Sequence, residues 1–339
     1  MRNLVLVFLV FTTISCKRNK EVAMEVIELV PERTISQLDT LFFTDVTMFS
    51  DSKQNYILSR NPAFLATTDK EFSVLNISSG RGSGPDEFSF PTQGKEYKGV
   101  VYVVDQGNQS IKRFNADGGE FISSSRIPEQ IFDFRFEIDQ EENVYYSIFS
   151  PFDDDIILKV DKDGNPIDRF STSFPVNSEA GENRQVKHFQ RDENGNLIVI
   201  GASLPFVEML DPSGKSINRF DIGDVEPIKR SIDSLEYDLS KKPASKSNIP
   251  MVILGAQYDK GRLYLAFVDR VGYNRSNARN LLVFKIDENK CQLEKILKFR
   301  TGTDDDGFHP SNFHVGSNEG KLYAQGLGTK HIYVFDLPE

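Results

Sequence analysis

Apolar and polar residues alternate in short bursts along most of this chain, and the bursts recur in a fixed order. The clearest unit runs from Gly195 to Phe220, GNLIVIGASLPFVEMLDPSGKSINRF. Leu197 to Ala202 is a continuous apolar run of strand length. Phe206 to Leu210 alternates with period two, the pattern of a half-buried strand, and Lys215 to Phe220 is a third strand. Asp211–Pro212–Ser213–Gly214 separates the last two as a turn, because Pro presets φ and Gly tolerates positive φ.

Aligning on the first of these strands gives six copies, starting at Tyr56, Val101, Val144, Leu197, Leu263 and Leu322. Gly or Asn stands just ahead of several of them (Gly99, Asn143, Gly195, Gly261, Gly320), where a tight hairpin from a preceding strand belongs. A second common strand follows, seen in IKRFN, ILKVD, FVEML, LLVFKID and HIYVFD, then an acidic or Gly-containing turn and usually a fourth strand. Copies lie roughly 45 to 65 residues apart, the length of a four-stranded propeller blade plus loops. The pattern therefore predicts an all-β fold, a six-bladed β-propeller of four-stranded antiparallel blades. The last blade lacks its outermost strand, because it ends at Asp336. The alternating run Ala23 to Leu29 belongs to no blade and is expected to complete blade six and close the ring.

Residues 1–16 read as a targeting segment. Arg2 is basic, Leu4 to Phe11 is apolar but too short to span a membrane, and Thr13–Ile14–Ser15–Cys16 ends as a bacterial lipoprotein signal does. Cys16 is the expected lipidation site, residues 17–22 a tether, and residues 23–339 the propeller. That places the protein in the cell envelope, held to a membrane by its N-terminal lipid. Cys291 is then the second of two cysteines, so no internal disulfide supports the fold. A net charge of −10 argues against nucleic acid as a partner. The chain has 27 Phe and no Trp, and Phe at alternate strand positions suits blade-on-blade packing.

The stretch ISSGRGSGPDEFSFP carries a resemblance. Gly82, Gly84, Pro85, Glu87, Phe88 and Pro91 form a Gly-rich GPxEF loop between blades, similar to the six-bladed propeller lipoproteins of Bacteroidetes, relatives of the NHL-repeat and TolB-like propellers. The resemblance implies a binding protein of undefined biochemical function, with some members linked to outer-membrane nutrient uptake. The loop lacks the GxxxxGK[ST] phosphate-binding pattern, so it reads as a structural turn.

Parity divides the loops. The turns between first and second strands, and between third and fourth, fall at one end of every blade and are short. The remaining loops fall at the other end and are long: 78–91, 150–155, 171–185, 221–249, 269–280 and 300–310. Long loops gathered on a rigid scaffold form the expected binding face. Arg81, Glu87, Arg184, Arg270, Tyr273 and Arg275 are its candidate ligand residues, in a mixture that suits a carbohydrate, a peptide or a protein partner. Within 221–249, Ile228, Ile232, Leu235 and Leu239 share one helix face after Pro227, and Pro243 stops the helix.

No cofactor is called for. Calcium is the one cation with candidate ligands, in the acidic runs containing Asp153, Asp155, Asp304 and Asp306. Asp161–Lys162–Asp163–Gly164–Asn165 opens like a calcium loop, but Pro166 and Thr172 replace the required Gly and Glu, so it reads as a turn. An enzyme of this architecture would need polar groups converging on the central channel from the innermost strands. Positions ten residues ahead of the aligned strands are Val46, Pro91, Phe134, Lys187, Ile253 and Asn312. Among them and their neighbours, Asp45, Asp133 and His188 are the channel candidates, and no repeated acidic or histidine ring appears. The sequence thus favours a non-enzymatic binding module. A calcium-dependent hydrolase or lyase, and a scaffold subunit of an outer-membrane complex, are the alternatives.

Overall fold

The computed structural model describes residues 24–39, 41–129, 131–148, 155–171, 173–175, 185–241, 251–270, 276–301, 312–325 and 331–339. Two short strands come first, β1 (Glu25–Leu29) and β2 (Arg33–Ile35). Blade one is β3 (Thr44–Ser50), β4 (Asn55–Asn61), β5 (Ala63–Thr68) and β6 (Val74–Ser78). Blade two is β7 (Pro91–Tyr97), β8 (Val100–Asp105), β9 (Ser110–Asn115) and β10 (Phe121–Arg126). Blade three is β11 (Ile131–Ile138), β12 (Val144–Ile148), β13 (Asp155–Val160) and β14 (Pro166–Ser171). Blade four is β15 (Lys187–Arg191), β16 (Leu197–Gly201), β17 (Phe206–Leu210) and β18 (Ser216–Asp221). The helix α1 (Glu226–Lys241) intervenes before blade five, β19 (Ile253–Asp259), β20 (Arg262–Arg270), β21 (Ser276–Asp287) and β22 (Lys290–Phe299). Blade six is β23 (Asn312–Gly316), β24 (Lys321–Gln325) and β25 (Ile332–Asp336). The fold is the six-bladed propeller that the repeats predict.

The last blade is completed by an N-terminal strand, but a different one from the run the alternation singled out. β2 pairs antiparallel with β25, Arg33 opposite Val334 and Ile35 opposite Ile332. Glu25–Leu29 lies one blade away, as a fifth, parallel strand on the outer edge of β22. Its alternation has a different cause from ring closure. Ile27 and Leu29 pack into the cluster between blades five and six, while Val26 and Glu28 face outward.

The core is divided among the blade junctions. Six clusters of buried apolar residues are found among the described residues, each drawn mainly from two neighbouring blades. Phe49 fills the junction of blades one and two by lying on Gly94, where an added Cβ would stand 2.3 Å from the ring. The short turns share one device. Asp161, Asp192 and Asp211 each accept the backbone N–H of the residue four positions on. Gly164, Gly195 and Gly214 supply the positive φ at +89°, +85° and +83°. The calcium-like segment is thus one of three equivalent turns, and both Asp161 oxygens are occupied by Asn165 and Asp163.

The insertion is helical as predicted, and its apolar face is covered. Ile228 and Leu235 are fully buried, Ser231 Oγ donates to the Val268 carbonyl at 2.8 Å, and Arg230 pairs with Asp269 at 2.8 Å. At both ends of the run 269–280, expected as a loop, the described residues continue blade five. β20 and β21 stay paired as far as Arg270 opposite Ser276.

The two N-terminal strands predict different truncations. A chain starting at Glu32 loses only the added strand and should melt cooperatively, about 5–10 °C lower. A chain starting at Leu38 loses ring closure and should show no single transition. Circular dichroism melts of both check this, and equal melting of the two would contradict it.

Candidate functional site

Every first strand runs in the same direction along the axis, so the six together line one cavity of about 310 Å³. Its wall takes Thr47 and Ser50 from β3, Gln93 and Lys95 from β7, and Arg135 and Glu137 from β11. Gln190 comes from β15, Gln257 and Tyr258 from β19, and Asn312 and His314 from β23.

Most of these polar groups are spent joining one blade to the next. Thr47 Oγ1 donates to the Thr92 carbonyl at 3.1 Å, linking blades one and two. Lys95 Nζ meets both oxygens of Glu137 at 2.7 and 2.5 Å, linking two and three. Arg191 Nη1 reaches back to the Ile138 carbonyl at 2.7 Å, linking three and four. Gln190 Oε1 accepts the Tyr258 N–H at 2.9 Å, linking four and five. Gln257 both donates to Val315 O at 3.0 Å and accepts its N–H at 2.7 Å, linking five and six. At the last junction Asn312 Nδ2 donates to the Val46 carbonyl at 3.0 Å and Gln325 Oε1 accepts the Val46 N–H at 2.7 Å.

Two pairs on the wall carry charge or proton chemistry. The Glu137 side chain is only 2% exposed and Lys95 is 37% exposed, so the carboxylate is the buried member of the pair. Ser50 Oγ and His314 Nε2 are 2.7 Å apart. Burial pushes the His314 pKa down to about 4, Glu319 opposing this and Lys70 and Lys95 adding to it. A serine beside a histidine is the geometry of an activated nucleophile, but a base this weak is far from the near-neutral pKa that general-base catalysis wants. The pair acts as another link between blades six and one.

Of the sequence-predicted channel residues, His188 stands behind the wall rather than on it. It is fully buried, its Nε2 lies 2.8 Å from the Ile253 carbonyl, and the Arg135 guanidinium meets its ring. Asp45 and Asp133 lie on β3 and β11, with side chains outside the described residues. Lys187, also buried, is 2.7 Å from Gln185 Oε1 and over the Phe174 ring, and burial holds its pKa well below the ordinary value.

The Gly-rich loop is a folded knot. Glu87 Oε2 accepts the Gly84 N–H at 2.8 Å and would clash with any Cβ on Gly82. Buried Lys112 donates to the Gly84 and Pro85 carbonyls at 3.0 and 2.9 Å, and buried Asp105 accepts the Ser89 and Phe90 N–H groups at 3.0 and 2.8 Å. Phe88 is fully buried against Phe114. Arg81 forms an isolated bridge to Phe88. Glu87, a candidate ligand residue, thus already holds its own loop.

Arg184, Tyr273, Arg275, Asp153, Asp304, Asp306 and Cys16 lie outside the described residues, as do the side chains of Asp155 and Arg270. Among the described residues no three His, Cys, Asp or Glu converge as metal ligands, and no helix is long and apolar enough to cross a membrane. Cys291 is a free thiol, and burial pushes its pKa up to about 12.

No protein-family model matches the chain, and no curated protein matches its sequence. Solved structures do match its fold. An exported protein of Bacteroides fragilis aligns with a TM-score of 0.57 at 12% identity, over 91% of this chain and 93% of its own. A member of the DUF4221 family from Bacteroides vulgatus gives 0.57 at 11% identity, over 92% and 98%. A virginiamycin B lyase of Staphylococcus aureus gives 0.50 at 12% identity, over 86% and 80%. At these identities the likeness shows a shared propeller fold.

The depressed His314 sets a pH dependence. The unfolded chain takes up a proton near pH 6.5 and the folded chain only near 4, so stability is full above pH 6.5 and falls as pH drops toward 4, by on the order of 3 kcal/mol. His314→Gln should flatten that part of the stability curve, measured by urea unfolding at pH 7, 5.5 and 4.5. Gly94→Ala should cost about 1–3 kcal/mol through overpacking and be partly rescued by Phe49→Leu, measured the same way.

Proposed function

We propose that the chain is an exported, lipid-anchored propeller that binds a small polar ligand in its central channel. One observation carries this: all six innermost strands line a single cavity of about 310 Å³, at the lower end of the range for small-molecule sites. The wall is polar, yet its hydrogen bonds run from blade to blade, which fixes the lining groups in place before any ligand arrives. Export and anchoring rest on the pattern of residues 1–16 ending at Cys16, and on the fold shared with an exported Bacteroides fragilis protein. A role in nutrient uptake at the outer membrane fits both. Binding rather than catalysis is favoured because Ser50 and His314, 2.7 Å apart, join blades one and six.

A melting-temperature panel of sugars, amino acids, dipeptides and calcium with and without chelator tests the reading. A ligand at a hundred times its Kd adds about 2.7 kcal/mol, a shift of several degrees. One small-molecule class should give that shift without metal, and Ser50→Phe, which projects a ring into the channel, should abolish it. A calcium shift reversed by chelator would replace this reading with a metal-dependent site. Silence across the panel would replace it with a protein partner.

A further inference from the structure

The strand added to blade five stands next to the expected anchor. Residues 17–23 separate Cys16 from Met24, where the described residues begin. Fully extended, that length of chain spans at most about 28 Å. A lipid at Cys16 therefore holds β1 close to the bilayer, at a high effective concentration for any contact between them.

The side chains of β1 divide by parity. Ile27 packs against the cluster between blades five and six, and Leu29 belongs to it. The even positions turn the other way. Met24 is 42% exposed, Val26 55% and Val30, just past the strand, 70%. Glu28, the charged member of this row, pairs with Arg300. In the parallel pairing with β22, Val26 lies opposite Ile296 and Glu28 opposite Lys298, so Lys298 borders the same row.

Other outer strands also expose apolar residues: Leu75 and Ile77 on β6, Ile122 on β10, Ile167 on β14 and Ile217 on β18. Scattered exposed apolar residues are normal. Among the described residues the row at β1 is the longest of these, and it starts where the tether ends. β1 is also a sheet edge, to which a further strand could add. An added strand bonds to the backbone and leaves the side-chain face open, whereas a bilayer surface covers that face. Apolar side chains bordered by basic ones suit the boundary between headgroups and acyl chains.

We infer that Met24, Val26 and Val30 form a membrane-docking surface, and that the propeller rests on the bilayer by the outer edge of blade five instead of hanging free on its tether. This rests on the lipid anchor at Cys16 proposed above.

The chain has no Trp, so a single introduced Trp reports its own surroundings. Val26→Trp and Val30→Trp test the surface, and Ile122→Trp, on blade two across the ring, is the control. The full chain, its lipid at Cys16 checked by mass spectrometry, is placed in phosphatidylethanolamine–phosphatidylglycerol vesicles with and without brominated phosphatidylcholine. Emission from Val26→Trp and Val30→Trp should shift to the blue and be quenched by the brominated lipid, while Ile122→Trp stays red and unquenched. Red, unquenched emission from all three variants on vesicle-bound protein overturns the inference and leaves the anchor standing. A blue shift without quenching means that a second copy of the chain covers the strand, which also overturns it. Protein without lipid at Cys16 overturns both the anchor and the docking surface.

Discussion

Six separate sheets become one molecule only if every blade is joined to the next around the axis. Each blade is a small antiparallel sheet with little core of its own, and its apolar faces are covered by its neighbours rather than from within. The joints are of two kinds. Apolar clusters fill each junction, and side chains of the innermost strands bond across it to the backbone or to a charged partner on the next blade. Each such bond contributes only about 0.5–1.5 kcal/mol net. The last joint differs in kind, because it connects residues far apart in sequence. Val46 meets Gln325 across 279 positions, and β2 supplies the outer strand that blade six lacks. Breaking that joint exposes two blade faces and a sheet edge at once.

The character of the channel follows from the same constraint. Inner strands that must bond sideways to their neighbours carry amides, hydroxyls and charges, so the hole they enclose is polar. Most of that polarity is already satisfied within the ring. On β7, Lys95 joins Glu137 across the junction of blades two and three.

The blade pattern was legible because it is a period-two signal repeated six times with Gly and Asp at the turns, and it also located one of the two extra N-terminal strands. It misplaced the closing strand. Arg33–Ile35 is three residues long, too short for periodicity to register, whereas Glu25–Leu29 alternates cleanly and is an added strand on blade five. Asn312 apart, the channel wall was missed by a matter of register. Counting ten residues back from the second strands lands on Val46, Lys187 and Ile253, above the cavity lining. Counting six or seven lands on Ser50, Lys95, Glu137, Gln190 and Gln257. The a–b hairpins are tighter than that offset allowed, since Ser50 pairs with Asn55 and Tyr97 with Val100. Nothing in the sequence could say that Gln190 and Gln257 bond across their junctions, because those bonds depend on partners from the neighbouring blade.

The most direct measurement is a difference density map from crystals of the protein soaked in a mixed pool of small polar molecules. The account predicts new density inside the channel, in contact with the innermost strands. Density confined to the loops outside the ring, with the channel unchanged, would contradict it.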